Sequence, residues 1–321
     1  MSAHGGSRAI IAALLANTGI AVTKFIAAAL SGSTSMLAEG VHSVADAGNQ
    51  VLLLVGKKRS EQAADAEHPF GYGRTRYVYA FIVAIVLFSV GGLYSLYEGI
   101  HKVQDPHPLD ATWWWLPFVV LAVAIGLESF SLRTAIKESN LVRGKQGWVS
   151  FVRRSKAPEL PVVLLEDVAA LIGLVLALIG VGLTAITGNG LFDGLGTLAI
   201  AALLIAVAIV LGIEMKSLLV GEGANPDDDV LIREAIEAHP KIVRLIHSKT
   251  LYVGPEELLV AAKVGFDADL PLSDVASAID EIETAVRAAV PVARIIYLEP
   301  DVYRATAAAP PTDTIVIKSA D

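Results

Sequence analysis

The chain of 321 residues has no cysteine. That excludes disulfides, thiolate metal sites and cysteine nucleophiles. Charge is also scarce. Charged residues make up 18% of the chain, whereas soluble domains carry about 25%. There is no HExxH string, which removes the usual intramembrane metallohydrolase signature. There is no basic excess either: the net charge is −8, which argues against nucleic-acid binding. Arg8 is followed by a long apolar stretch without a small-residue cleavage pattern, so no cleavable signal peptide is expected.

What the chain has instead is apolar length. It is 54% hydrophobic with a mean hydropathy of +0.58. A membrane-spanning helix needs about 20 mostly apolar residues. Six stretches qualify: 8–30, 35–56, 77–100, 112–136, 160–186 and 191–216. The connecting segments 57–76 and 133–158 hold twelve Lys or Arg, and the opposite-side loops hold only Lys102. The positive-inside rule then puts both termini in the cytoplasm of a multi-pass protein. In a bacterium this would be the plasma or inner membrane.

Charge balance changes near Leu218. From there to the end stand 18 acids and 9 bases, against 15 acids and 16 bases before it. "NPDDDVLIREAIEAHP" (225–240) reads as a helix with Asn225 as its cap and Pro226 in its first turn. Two alternating stretches around "VGPEE" predict a strand pair. A helix over 271–291 and a short strand over 293–300 follow. The fold class expected is an all-α six-helix transmembrane domain (1–217), then a small cytoplasmic α+β domain of αββαβ order (218–304). A flexible tail occupies 305–321.

Within the second span, "MLAEGVHSVADAGNQ" places Glu39, His42 and Asp46 at i, i+3 and i+7, one face of a helix. Ionisable groups are costly in lipid and usually face a protein interior or an ion path. His42 and Asp46, at i and i+4, can share a divalent cation, with N/O ligation suiting zinc, iron, manganese or cobalt. Tetrahedral zinc wants four ligands. Glu166 and Asp167 in the fifth span offer the partner. The competing reading is that these groups only bond neighbouring helices.

The run "GSTSMLAEGVHSVADAGNQVLLLVGKKRS", followed by "EHPFGYGRTRYVYA", resembles the cation diffusion facilitator family. Likeness extends from about residue 8 to 304, and "LLEDVAALIG" and "LLVGEGA" resemble its zinc-transporter-nine-like branch. The resemblance implies a homodimeric secondary transporter. It would export a divalent metal, zinc first and then manganese, iron or cobalt, in exchange for protons, with a ferredoxin-like dimerisation domain. The metal would be cargo, with no other cofactor, and the only partners would be the bilayer, the ion, protons and a second copy. The family's site uses two (H/D)xxxD motifs. His42 and Asp46 complete the first, while in the second only Asp167 matches, because Val163 stands at the other position. Water or Glu166 would complete the shell. Glu128 in the fourth span is a further intramembrane acid, either a ligand or proton carrier or a structural partner.

A second family site corresponds here to Asp65 and His68, with Tyr72 in place of its last histidine. Its alternative role is a turn that fixes the third span. The cytoplasmic cluster of the family is mostly missing, with His247 and Glu299 retained. His239 suits a helix C-terminus, and His4, His101 and His107 suit solvent. A non-transporting metal sensor or scaffold with degraded sites is the alternative function.

Overall fold

The computed structural model describes residues 5–32 and 34–303, so His4 and the expected tail over 305–321 lie outside the described residues. The chain divides into two compact units between Val220 and Gly221. The first is helical: α1 (Gly5–Ser31), α2 (Thr34–Ser60), α3 (Thr75–Gln104), α4 (Leu116–Arg143), the short α5 (Trp148–Arg154), α6 (Glu159–Thr187) and α7 (Leu191–Val220). Among the described residues, α1, α3, α4, α6 and α7 are long and apolar enough to cross a membrane. α2 has the length but falls short in hydropathy, because its polar face interrupts the apolar run.

Neighbouring helices close into a ring in the order α1, α2, α3, α7, α6, α4 and back to α1. A core of Ile10, Leu53, Tyr77, Val83, Leu160, Val163, Leu211 and Met215 fills one part of it. Many outward side chains are apolar and exposed, Leu15, Ile26, Phe130 and Ile186 among them. Such a surface suits contact with hydrocarbon. α3 carries a π-helical segment, Leu87–Leu93, whose Gly91 and Gly92 pack on Leu204 and Ile205 of α7. The extra residue per turn shifts the helix register ahead of Tyr94.

Local chemistry sets the helix ends. Gly188 closes α6 at φ +70°, a conformation that costs glycine little. At Gly190 the backbone of His107 comes so close that any side chain would collide with it. α4 starts later than the expected span: Trp113–Trp115 form a turn whose entry is tied by Asp110 Oδ1, which accepts the Thr112 and Trp113 amides. Lys102 is anchored to Glu98 at 3.2 Å and Asp193 at 3.0 Å.

The second unit runs α8 (Pro226–Glu237), β1 (Arg244–Gly254), β2 (Glu257–Phe266), α9 (Leu272–Ala289) and β3 (Ala293–Val302). β1 pairs antiparallel with β2, and β2 parallel with β3. Alternation along β2 buries Leu258, Val260, Ala262 and Val264, which share a core with Ile232, Ile236, Ile282 and Val286 of the two helices. Asn225 occupies the N-cap position of α8, but its side chain makes no capping hydrogen bond. The three aspartates of the first turn complement the helix dipole there instead.

Candidate metal centre

The face predicted on α2 exists. His42 Nε2 and Asp46 Oδ2 lie 3.7 Å apart, and both side chains are largely shielded. The other ring nitrogen of His42, Nδ1, is buried without a hydrogen-bond partner. A buried polar atom left unpaired costs about 1–3 kcal/mol, so a bound group that claims it would recover that cost. The ring of Tyr94, the residue after the π segment, stacks at 6.4 Å from that of His42. Glu39 turns instead toward Lys24 of α1, at 3.5 Å.

Glu166 and Asp167 are adjacent and both buried, yet they face different neighbours. Glu166 accepts hydrogen bonds from Asn49 Nδ2 at 3.1 Å and Gln50 Nε2 at 2.8 Å, both on α2. Gln50 Oε1 in turn accepts from Asn17 Nδ2 of α1 at 3.2 Å. Asp167 Oδ2 accepts from Ser131 Oγ of α4 at 2.7 Å. One turn before Ser131 stands Glu128, also buried.

The helices α1, α2, α4 and α6 thus surround a polar interior with His42 and Asp46 on one side and three carboxyls nearby. Among the described residues, no three His, Asp or Glu side chains are gathered in a metal-holding geometry. Ser131 takes one oxygen of Asp167, and the two amides take both oxygens of Glu166. Val163 is fully buried in the apolar core and cannot contribute a ligand. Asn49, Gln50, Ser131 and Tyr94 were not singled out from sequence. Asn49 and Gln50 carried a signal, since they continue the face of Asp46 at i+3 and i+4.

The 57–76 connection is organised by Asp65. Its Oδ1 accepts the amides of Glu67 and His68 at 3.0 and 2.7 Å, and its Oδ2 accepts the Tyr72 hydroxyl at 2.7 Å. These bonds, Tyr72's first, hold the Asp65 carboxyl below its ordinary pKa. His68 Nδ1 stands 3.5 Å from Asp65 Oδ1, and its ring centroid is 4.3 Å from that of Tyr72. On the C-terminal sheet, His247 and Glu299 line a small cavity of about 250 Å³ with Lys249 and Tyr297. Glu299 is engaged by Lys263 at 2.9 Å. His239 follows α8 and meets Glu281 of α9 at 3.1 Å.

Comparison with known proteins adds the family. The cation efflux transmembrane domain matches residues 10–220, the helical unit almost entirely. A mitochondrial proton-coupled zinc antiporter of Xenopus laevis is 34% identical over 270 residues, covering 83% of this chain and 48% of that protein. The Homo sapiens antiporter of that name is 33% identical, covering 82% of this chain and 46% of its own. Metal tolerance protein C4 of Arabidopsis thaliana is 29% identical, covering 82% of this chain and 58% of its own. The chain therefore spans about half the length of the antiporters it matches. A match over the helical ring, helices apolar enough to cross a bilayer several times, and a His–Asp pair inside that ring lead to one assignment: the chain belongs to the cation diffusion facilitator family of multi-pass membrane transporters, not to an enzyme family.

Proposed function

We propose that the protein exports a divalent metal ion from the cytoplasm in exchange for protons, with zinc the first choice and manganese, iron or cobalt after it. The observation that carries this reading is the His42–Asp46 pair, whose imidazole keeps one buried nitrogen unclaimed in a bundle that also buries the carboxyls of Asp167, Glu166 and Glu128. His42, Asp46 and Asp167 are the ligands we assign. The names of the Xenopus and human relatives support both zinc and the proton.

The chemistry follows from the ligand types. A metal binds neutral imidazole and ionised carboxylates, so loading releases protons and acid displaces the metal. If the site opens alternately to the two faces, a proton gradient drives the ion out. Loading would draw Asp167 away from Ser131 toward His42 and Asp46, with water or Glu166 completing the shell. Recruiting Glu166 means breaking its bonds to Asn49 and Gln50. Glu39, paired with Lys24, is assigned to the approach to the site.

In this proposal α2 is the sixth span, both termini are cytoplasmic, and the C-terminal unit is a ferredoxin-like domain that pairs two copies. Asp65 and His68 are assigned chiefly to the turn before α3, because a metal there would have to displace the Tyr72 hydroxyl. The sensor or scaffold alternative draws on the separated ligands and on Val163.

The test is metal uptake into proteoliposomes with an acidic interior, comparing zinc, manganese, iron and cobalt. The wild-type protein should take up its metal only with the proton gradient, and Asp46→Asn and Asp167→Asn should each abolish uptake. Retained uptake in the folded double variant would overturn the site assignment. No uptake of any metal by folded wild-type protein would move the assignment to sensor or scaffold.

A further inference from the structure

The segment between α4 and α6 departs from the rest of the helical unit in charge. Residues 133–158 carry seven Lys or Arg and one acid, Glu138, which is buried. Within it, α5 reads "WVSFVRR". Phe151 is buried and joins the bundle core, Trp148 and Val149 are exposed, and Arg153 and Arg154 end the helix at the surface. The Arg143 guanidinium lies 4.2 Å from the Trp148 ring centroid. An amphipathic helix with a tryptophan and terminal arginines is the pattern of a segment lying in a membrane interface.

Beside α5 is a groove of about 730 Å³ between α4, α6 and α7. Ile136, Val152, Leu164, Val168, Val210 and Ile213 form its apolar wall. At its polar end are Arg153 and Glu214, 3.5 Å apart. The Arg153 side chain is 72% exposed, so Glu214 uses only part of its hydrogen-bonding capacity. The volume is that of a site for a medium-sized organic ligand, about 300–1,000 Å³. Arg154, the next residue of α5, is exposed as well, and the 133–158 segment carries an excess of Lys and Arg.

We propose that this groove binds one anionic phospholipid, with an acyl chain along Ile136, Leu164, Val168, Val210 and Ile213 and its phosphate at Arg153 and Arg154. Hydrocarbon is the medium around these helices, so the apolar wall alone accepts any lipid chain. Arg153, with Arg154 beside it in the sequence, selects the headgroup, because each Lys or Arg near a surface attracts anionic lipid. The site is separate from His42 and Asp46 and requires only that the helical unit be embedded in a bilayer.

Native mass spectrometry of the full chain tests it, using equimolar phosphatidylglycerol and phosphatidylcholine with identical acyl chains. The wild-type protein should retain phosphatidylglycerol preferentially. Arg153→Gln and Arg154→Gln, both at exposed positions, should each reduce that preference about fivefold. Glu214→Gln should increase it, and Ile213→Trp, which fills the groove, should reduce retention of both lipids. Equal retention of the two lipids by wild type would overturn the proposal. So would an undiminished preference in the Arg153→Gln/Arg154→Gln variant, or unchanged retention in Ile213→Trp.

Discussion

In the helical unit Glu128, Glu159, Glu166 and Asp167 are buried, together with Asn17, Asn49 and Gln50. In the C-terminal unit the described buried side chains are aliphatic or aromatic, with Tyr252 the one that carries a polar group. The C-terminal core resembles that of an ordinary soluble domain, where apolar burial supplies the stability. The bundle sits in a medium that already solvates apolar side chains, so its specific contacts depend more on packing and hydrogen bonds between helices. Carboxylates are costly inside such a bundle and remain where a partner or a function holds them. In the proposed function the bundle carries the ion chemistry, while the C-terminal unit has the apolar core of an ordinary fold.

The strongest way to break this comparison, after the transport-site variants, is at Arg76 and Glu159. Two Arg76 nitrogens bond the carboxylate at the start of α6, Nη2 at 2.7 Å, and Glu159 is 2% exposed. Arg76→Ala would leave that charge buried alone and should cost about 3–5 kcal/mol, read as a lowered unfolding temperature in detergent. Arg76→Met combined with Glu159→Leu should recover most of the loss, because two apolar groups need no partner. If the double variant is as unstable as Arg76→Ala, the pair does more than neutralise itself.

In the C-terminal unit the matching cut is Ile282→Ala, which empties a fully buried position of α9 in the core shared with the sheet. It should cost about 2–5 kcal/mol, appearing as faster hydrogen exchange in β1, β2 and β3. Metal uptake per folded molecule should not change. A loss of uptake equal to that of Asp167→Asn would show that the two units do not divide stability and ion chemistry in this way.

The smallest effect belongs to the loop before α3. Asp65 is held below its ordinary pKa, so its contribution to the turn is present above the unfolded-state value and is lost as pH falls through the folded one. The turn should therefore loosen only in strong acid. Tyr72→Phe removes the leading hydrogen bond and should move that loosening to higher pH, checked by proteolysis of the 61–74 segment across an acid series. An unchanged onset would assign the turn to the two backbone amides instead.

The pairing of His42 with Asp46 was legible because helical period alone brings i and i+4 together. The strands and helices of the C-terminal unit were legible for the same reason: alternation along β2 and the period of α9 each admit one buried face. Glu166 and Asp167 were not separable this way. They differ by about 100° around the helix, and which one faces which neighbour depends on the helices packed against α6. Nothing in the sequence around Glu128 or Ser131 says that α4 brings them beside Asp167, and the capping expected of Asn225 gave way to an uncapped first turn.

Taken alone, the sequence determined composition, period and local charge, and with them the apolar helices, the charge asymmetry of the loops and the polar face of α2. These depend on neighbours within a few residues, so the chain carries them wherever it folds. Tertiary structure decided the rest: the closing of α1, α2, α3, α7, α6 and α4 into a ring, Ser131 as the partner of Asp167, Asn49 and Gln50 as those of Glu166, and the groove beside α5. Each joins residues far apart in the chain, and which helices meet is a matter of side-chain shape and hydrogen bonding across their faces.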